Sequence, residues 1–211
     1  MRECDWFFDF ISPFSYLQWK TRERIADRTR LQPIPVVLGA LLDHWGQKGP
    51  AEIPPKRFHT YRACQWRAKR LGVPLHFPPA HPFNPIAALR LSVALGTSDV
   101  AIDAIFDAAY RDGRDISDIA VLTDIGRAFG IDDVAAAIGQ PEVKQRLRAN
   151  TDLAIARGVF GVPTIAIGEE LFWGEDMTDM LADFLAEPDA FDTPDMRRLK
   201  ALPVGVQRGT R

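Results

Sequence analysis

The sequence predicts an α/β fold in which a βαβ unit and a later ββα unit flank a large all-helical insertion, placed between the second and third strands. Three observations carry this. A run of apolar and aromatic residues stops at Ser12-Pro13 and a helical pattern begins. Residues 40–157 then offer one helix signature after another, with no convincing strand. From Thr164 onward two short strand-like runs return, followed by an amphipathic stripe.

Residues 4–10, CDWFFDF, are rich in aromatic side chains and read as a buried strand. Ser12 has N-cap chemistry, and Pro13 suits the first helical position, where its missing N–H would have had no intrahelical partner. Phe14, Leu17 and Ile25 carry the apolar side of that helix, which the pattern ends near Arg28. A second strand follows over Ile34–Leu38, with Pro35 pointing to an edge or irregular pairing. Within the insertion, Lys56–Leu71 places Phe58, Tyr61, Cys64, Ala68 and Leu71 at spacings of three and four, and Gly72 stops it. Further helices are expected from Asn84-Pro85 to Gly96, over Asp99–Tyr110, over Ser117–Phe129, and from Pro141 toward Gly158.

The return to strands is written in GVPTIAIGEELFWGED. Thr164–Ile167 and Leu171–Trp173 are joined by a tight turn at Gly168-Glu169, the pattern of a β-hairpin. Asp176 can cap a last helix whose Met177, Met180, Leu181, Phe184 and Leu185 form an apolar stripe. From Glu187 onward, four Arg and three Pro residues amid polar positions suggest a surface tail. This order is that of a thioredoxin-like fold. The expected organisation is a discontinuous domain of residues 1–39 and 158–187, an inserted helical domain of residues 40–157, and a tail of residues 188–211.

Composition narrows the function classes. With 46% hydrophobic residues and 13 Phe, the 211-residue chain can build an ordinary core, and a net charge of −2 gives no global reason to expect nucleic acid or a membrane surface as partner. The two cysteines, Cys4 and Cys64, form neither a metal pattern nor a redox pair. His44, His59, His76 and His81 show no ligand spacing, so no metal is expected. Without a signal segment or a membrane-length apolar run, the reading is a soluble cytoplasmic protein.

Three separated segments converge in such a fold: Ser12 at the first helix, Val162-Pro163 entering the third strand, and Gly174-Glu175-Asp176 at the last helix. The thioredoxin arrangement places a cis proline beside the first-helix motif, which is the expectation for Pro163. Ser12 has no nearby base to make it a nucleophile. It is either a simple N-cap or a donor that, with the helix N-terminus, ionises a thiol brought by a small molecule. Backbone at Val162 suits the peptide-like middle of a thiol tripeptide and Asp176 suits its ammonium group, as glutathione would require.

The segments FDFISPFSYL, HFPPAHPFNPIAALR and GVFGVPTIAIGEELFWGED together resemble the 2-hydroxychromene-2-carboxylate isomerases and the kappa-class glutathione transferases, of the DsbA-like branch of the thioredoxin superfamily. The resemblance runs from Asp5 to about Leu185. It implies a catalytic Ser12 that stabilises the glutathione thiolate, a backbone clasp at Val162 beside cis-Pro163, and γ-glutamyl recognition by Glu175-Asp176. It further implies reversible addition of the thiolate to an unsaturated aromatic acid, and a homodimer. The chain departs from the family in the loop after the second strand, GQKGPAEIPPKR, where Gln47, Lys48 and Lys56 take the place of an expected Asn as candidate substrate contacts. Trp45, Phe58 and Trp66 are candidate walls of an apolar pocket, although the helix stripe favours plain core for Phe58. A transferase or peroxidase shares this site. A peptide-binding protein without catalysis is a further reading, and thiol–disulfide exchange is disfavoured because positions 12 and 15 hold serine.

Overall fold

A computed structural model describes residues 2–206. Among the described residues there is one four-stranded sheet. The strand β1 (Arg2–Phe8) lies inside the sheet, and its Trp6, Phe7 and Phe8 are all fully buried. It pairs parallel with β2 (Thr29–Pro35) and antiparallel with β3 (Thr164–Ile167), which closes a hairpin with β4 (Glu170–Trp173). The predicted βαβ…ββα order is present.

Alternation along β1 explains how the two faces are filled. Cys4, Trp6, Phe8 and Phe10 enter the larger core with Tyr16, Leu17 and Trp19 of helix α1 (Pro13–Lys20), while Phe7 faces a smaller one with Val36, Leu41, Ala154 and Val159. Trp6 stacks on Phe8 and on Trp19, with ring centroids 4.5 and 4.8 Å apart. These rings bring specific offset contacts besides their buried area. The larger core continues without a break from the sheet into Cys64, Leu89, Ile102 and Phe106 of the helical segment.

That segment comprises α2 (Leu38–His44), α3 (Pro54–Leu71), α4 (Ile86–Ala94), α5 (Asp99–Phe106), α6 (Ile119–Ala128), α7 (Val134–Gly139) and α8 (Pro141–Ala156). A π-helical turn, Asp107–Arg111, prolongs α5. After β4 come a 3₁₀ turn (Glu175–Met177) and α9 (Thr178–Ala186).

Several boundaries differ from expectation. The second strand runs over Thr29–Pro35, not Ile34–Leu38, because pairing with β1 recruits the polar stretch Thr29–Gln32 that no apolar pattern marks. It lies at the sheet edge, as Pro35 suggested, where a proline's missing N–H needs no partner. The first helix stops at Lys20 and a separate 3₁₀ turn, Arg22–Ile25, carries Ile25 into the core. The short helices α2 and α7 carry too little periodicity to be seen in sequence. Asp176 does not cap α9: it lies within the 3₁₀ turn, and the N-cap position is Met177, without a side-chain cap. Phe58 is 66% exposed and not core. Part of the expected tail is helical, α10 (Pro194–Lys200), capped by Thr193; residues 207–211 of that tail lie outside the described ones.

Candidate functional site

The first two of the three expected segments meet directly. Ser12 is the N-cap of α1, with φ −92° and ψ 112°, and its Oγ accepts the Ser15 N–H at 3.2 Å. The same hydroxyl donates to the carbonyl of Val162 across a long 3.4 Å. The Val162-Pro163 peptide is cis, as the fold argument anticipated. Ser12 therefore holds its proton in a weak bond, at a helix N-terminus whose dipole favours an anion. The Val162 N–H has no partner among the described residues, so the backbone beside cis-Pro163 keeps a free donor.

The third segment is tied to the first two through backbone and one side chain. Gly174 N–H donates to the Pro163 carbonyl at 2.8 Å. Gln18 on α1 donates to the Gly174 carbonyl and to Thr178 Oγ1, both at 3.1 Å, and accepts from the Trp6 indole at 2.7 Å. This buried amide joins β1, α1 and the start of α9, and no sequence signal distinguished it from its apolar neighbours. Gly174 has φ 107°, a backbone conformation that favours glycine, and the Asp176 carboxylate lies where a Cβ would stand. Asp176 is exposed beside this turn, available to an ammonium group.

Glu175 is placed differently from Asp176. It is only 1% exposed, and its carboxylate accepts from Arg67 at 2.6 and 3.0 Å and from Arg24 at 3.4 Å. This bidentate pair locks α3 onto the turn before α9, and it leaves the Glu175 backbone, not its side chain, for a ligand.

Beneath the Ser12 turn lies Asp9, fully buried, its two carboxyl oxygens accepting from Ile11 N–H at 3.0 Å and Leu38 N–H at 2.9 Å. Burial outweighs these bonds and pushes its carboxyl up to about 7. Above the turn, the Ile11 carbonyl accepts from Tyr110 Oη at 2.7 Å and lies 2.8 Å from His81 Nε2. Burial holds the His81 imidazole below its ordinary range. His81 in turn neighbours Tyr61, whose hydroxyl donates to the His81 carbonyl at 2.7 Å. His81 Nε2 thus meets the backbone of Ile11, the residue before Ser12, a proximity that only the fold supplies.

The loop candidates flank this centre. Trp45 donates its indole N–H to the Val159 carbonyl at 2.9 Å, which pins the loop carrying Gln47 and Lys48 to the segment leading into cis-Pro163. Lys56 sits in the first turn of α3; like Gln47 and Lys48 it is exposed and has no side-chain partner among the described residues. Trp45, Phe58 and Trp66 are each largely exposed and do not enclose a pocket together. Ser15, at the position of a second redox cysteine, is fully buried and its Oγ has no partner among the described residues.

The family model of the DSBA-like thioredoxin domain matches residues 3–186. Among curated proteins, the chain is 29% identical to glutathione S-transferase kappa 2 of Caenorhabditis elegans, covering 86% of this chain and 91% of that protein. It is 28% identical to 2-hydroxychromene-2-carboxylate isomerase of Pseudomonas sp. (strain C18), covering 84% and 87%. Among solved structures, a 2-hydroxychromene-2-carboxylate isomerase superposes with a TM-score of 0.76 over 95% of this chain and 100% of that one, at 22% identity.

Proposed function

The chain belongs to the family of DSBA-like thioredoxin domains, and from that premise we propose that it is a glutathione-dependent isomerase of the 2-hydroxychromene-2-carboxylate isomerase type. The observation that carries this reading is Ser12 Oγ at the α1 N-terminus, 3.4 Å from the carbonyl that precedes cis-Pro163. A hydroxyl there can turn its proton from a weak acceptor to a thiolate. Thiol–disulfide exchange would need a sulfur in that motif, and Cys4 and Cys64 are both buried elsewhere.

The chain's own residues fit glutathione. The unpaired Val162 N–H and its carbonyl suit the peptide-like backbone of the tripeptide, and Asp176 suits its γ-glutamyl ammonium. Lys48 and Lys56 are cations within the flanking loop and helix start, suited to its glycyl carboxylate. When bound, glutathione supplies the nucleophilic sulfur that adds reversibly to the unsaturated acid. Ser12 then donates a hydrogen bond to that sulfur, and the positive end of the α1 dipole opposes its reprotonation. Gln18 and Gly174 keep the Asp176 turn in register with Ser12.

A conjugating transferase is the second reading, favoured by the similarity to the kappa 2 protein. Both readings place the protein where reduced glutathione and free cysteines coexist, so the cytoplasm is the compartment we propose. A homodimer belongs to the proposal, supported by the exposed Leu202, Val204 and Val206 of the tail, and sedimentation velocity tests it. No helix among the described residues is long and apolar enough to cross a membrane.

The test is calorimetric titration with reduced glutathione beside S-methylglutathione, following thiolate absorbance against pH. Binding with a thiol pKa well below that of free glutathione, raised again by Ser12→Ala, is the expected result. Turnover of 2-hydroxychromene-2-carboxylate without net loss of glutathione then separates isomerase from transferase. No binding at millimolar glutathione would sink the assignment.

A further inference from the structure

The glutathione reading leaves open which residue recognises the acid substrate. One arginine of α3 differs from its neighbours. Arg57, in the first turn of α3, has its Nε anchored on the Ala51 carbonyl at 2.6 Å, and no carboxylate lies within salt-bridge distance of it among the described residues. Arg22, Arg24 and Arg67 are each committed to carboxylates. Arg62 and Arg70 stand over the Phe58 and Trp66 rings. Arg57 is held in place by a neutral partner with its charge unspent.

Its position follows from helix geometry. Arg57 and Tyr61 are four residues apart on α3, so their side chains are neighbours on one face. Tyr61 is bonded to the His81 carbonyl, and His81 Nε2 lies 2.8 Å from the carbonyl of Ile11, the residue before Ser12. The Arg57 charge is felt along this path: it works against burial at the Tyr61 phenol and adds to burial at the His81 imidazole. Tyr61, Phe77 and His81 are each half-buried, with ring centroids 4.7 to 5.5 Å apart, and form an aromatic face beside the Ser12 turn.

We propose that Arg57 is the carboxylate receptor of the site, and that an aromatic acid lies with its ring on the Tyr61–Phe77–His81 face and its carboxylate on the Arg57 guanidinium. This rests on the reading of Ser12 as a glutathione site. An anchored guanidinium loses less side-chain freedom on binding than the unattached Lys48 and Lys56, and it presents a fork that matches a carboxylate. The acid is thereby selected over neutral aromatic compounds of the same shape.

The experiment titrates the full chain with coumarin-3-carboxylate and with coumarin, which lacks the carboxylate, each with and without glutathione. The wild type is expected to prefer the acid by roughly 10- to 100-fold, as for one charge-assisted pair. Arg57→Ala abolishes the preference, Arg57→Lys keeps part of it, and Lys69→Ala, an exposed cation on the same helix, leaves it intact. Preference that survives Arg57→Ala, or a wild type that binds neither compound, overturns the proposal. Glutathione titrated alone reports separately on Ser12: if it fails to bind while the Arg57-dependent preference persists, the glutathione reading falls and the carboxylate receptor stands.

Discussion

Asp9 should make the stability of this protein fall as pH rises from about 4 to 7. Burial raises its carboxyl from the ordinary 3.8 to about 7, against two backbone hydrogen bonds that lower it. Below pH 3.8 the group is protonated in both folded and unfolded chains and stability is unaffected. Between the two values the unfolded chain ionises while the folded one stays neutral, so folding loses about 1.4 kcal/mol per pH unit, about 4 kcal/mol in all. Above 7 both forms are ionised and the loss is complete. Asp9→Asn cannot titrate. Its amide accepts from only one of the Ile11 and Leu38 N–H groups, a pH-independent cost of about 1–3 kcal/mol. Urea unfolding of both proteins from pH 4.5 to 8.5 should therefore show the variant less stable at the acid end and the gap closing or reversing at the alkaline end. A gap that stays constant across that range would refute the argument that burial dominates at Asp9.

Arg67→Ala removes the bidentate partner of the buried Glu175 and should cost about 3–5 kcal/mol, read as a fall in the urea midpoint, with most of it recovered when Glu175 is also replaced by Met. Gln18→Leu strands the Trp6 indole N–H and releases Gly174; a loss of about 2–3 kcal/mol together with weaker glutathione binding is expected, whereas unchanged binding would free Gln18 of any role in the site. Ser15→Ala should be neutral or stabilising by about 1 kcal/mol and leave turnover intact, since the Ser15 hydroxyl is buried without a partner. Gly126→Ala would drive a Cβ into the Val134 side chain where α6 meets α7, and a drop in melting temperature worth about 1–3 kcal/mol checks it.

The sequence by itself determined the strand and helix order and the identity of the central hydroxyl. The aromatic run of β1, the Ser12-Pro13 helix start, the strong stripe of α3 and the hairpin of β3 and β4 are local signals, written in neighbouring residues whose spacing is the spacing of the element. Ser12, Val162, Pro163 and Gly174 stand at element boundaries that the pattern marks, which is why the sequence singles them out as candidates. Elements whose form depends on distant partners were not legible. The polar start of β2 is a strand because β1 pairs with it, and Asp176 falls inside a 3₁₀ turn because the Arg67–Glu175 pair and Gln18 hold that turn in place. Tertiary structure alone set Asp9 under the Ser12 turn and His81 above it, turned Glu175 from a ligand candidate into a buried ion-pair partner, and left Arg57 unpaired beside an aromatic face. Burial, charge pairing and proton affinity belong to what surrounds a side chain, and for these residues the surroundings come from segments distant in sequence, as at Glu175 and Arg24, 151 positions apart.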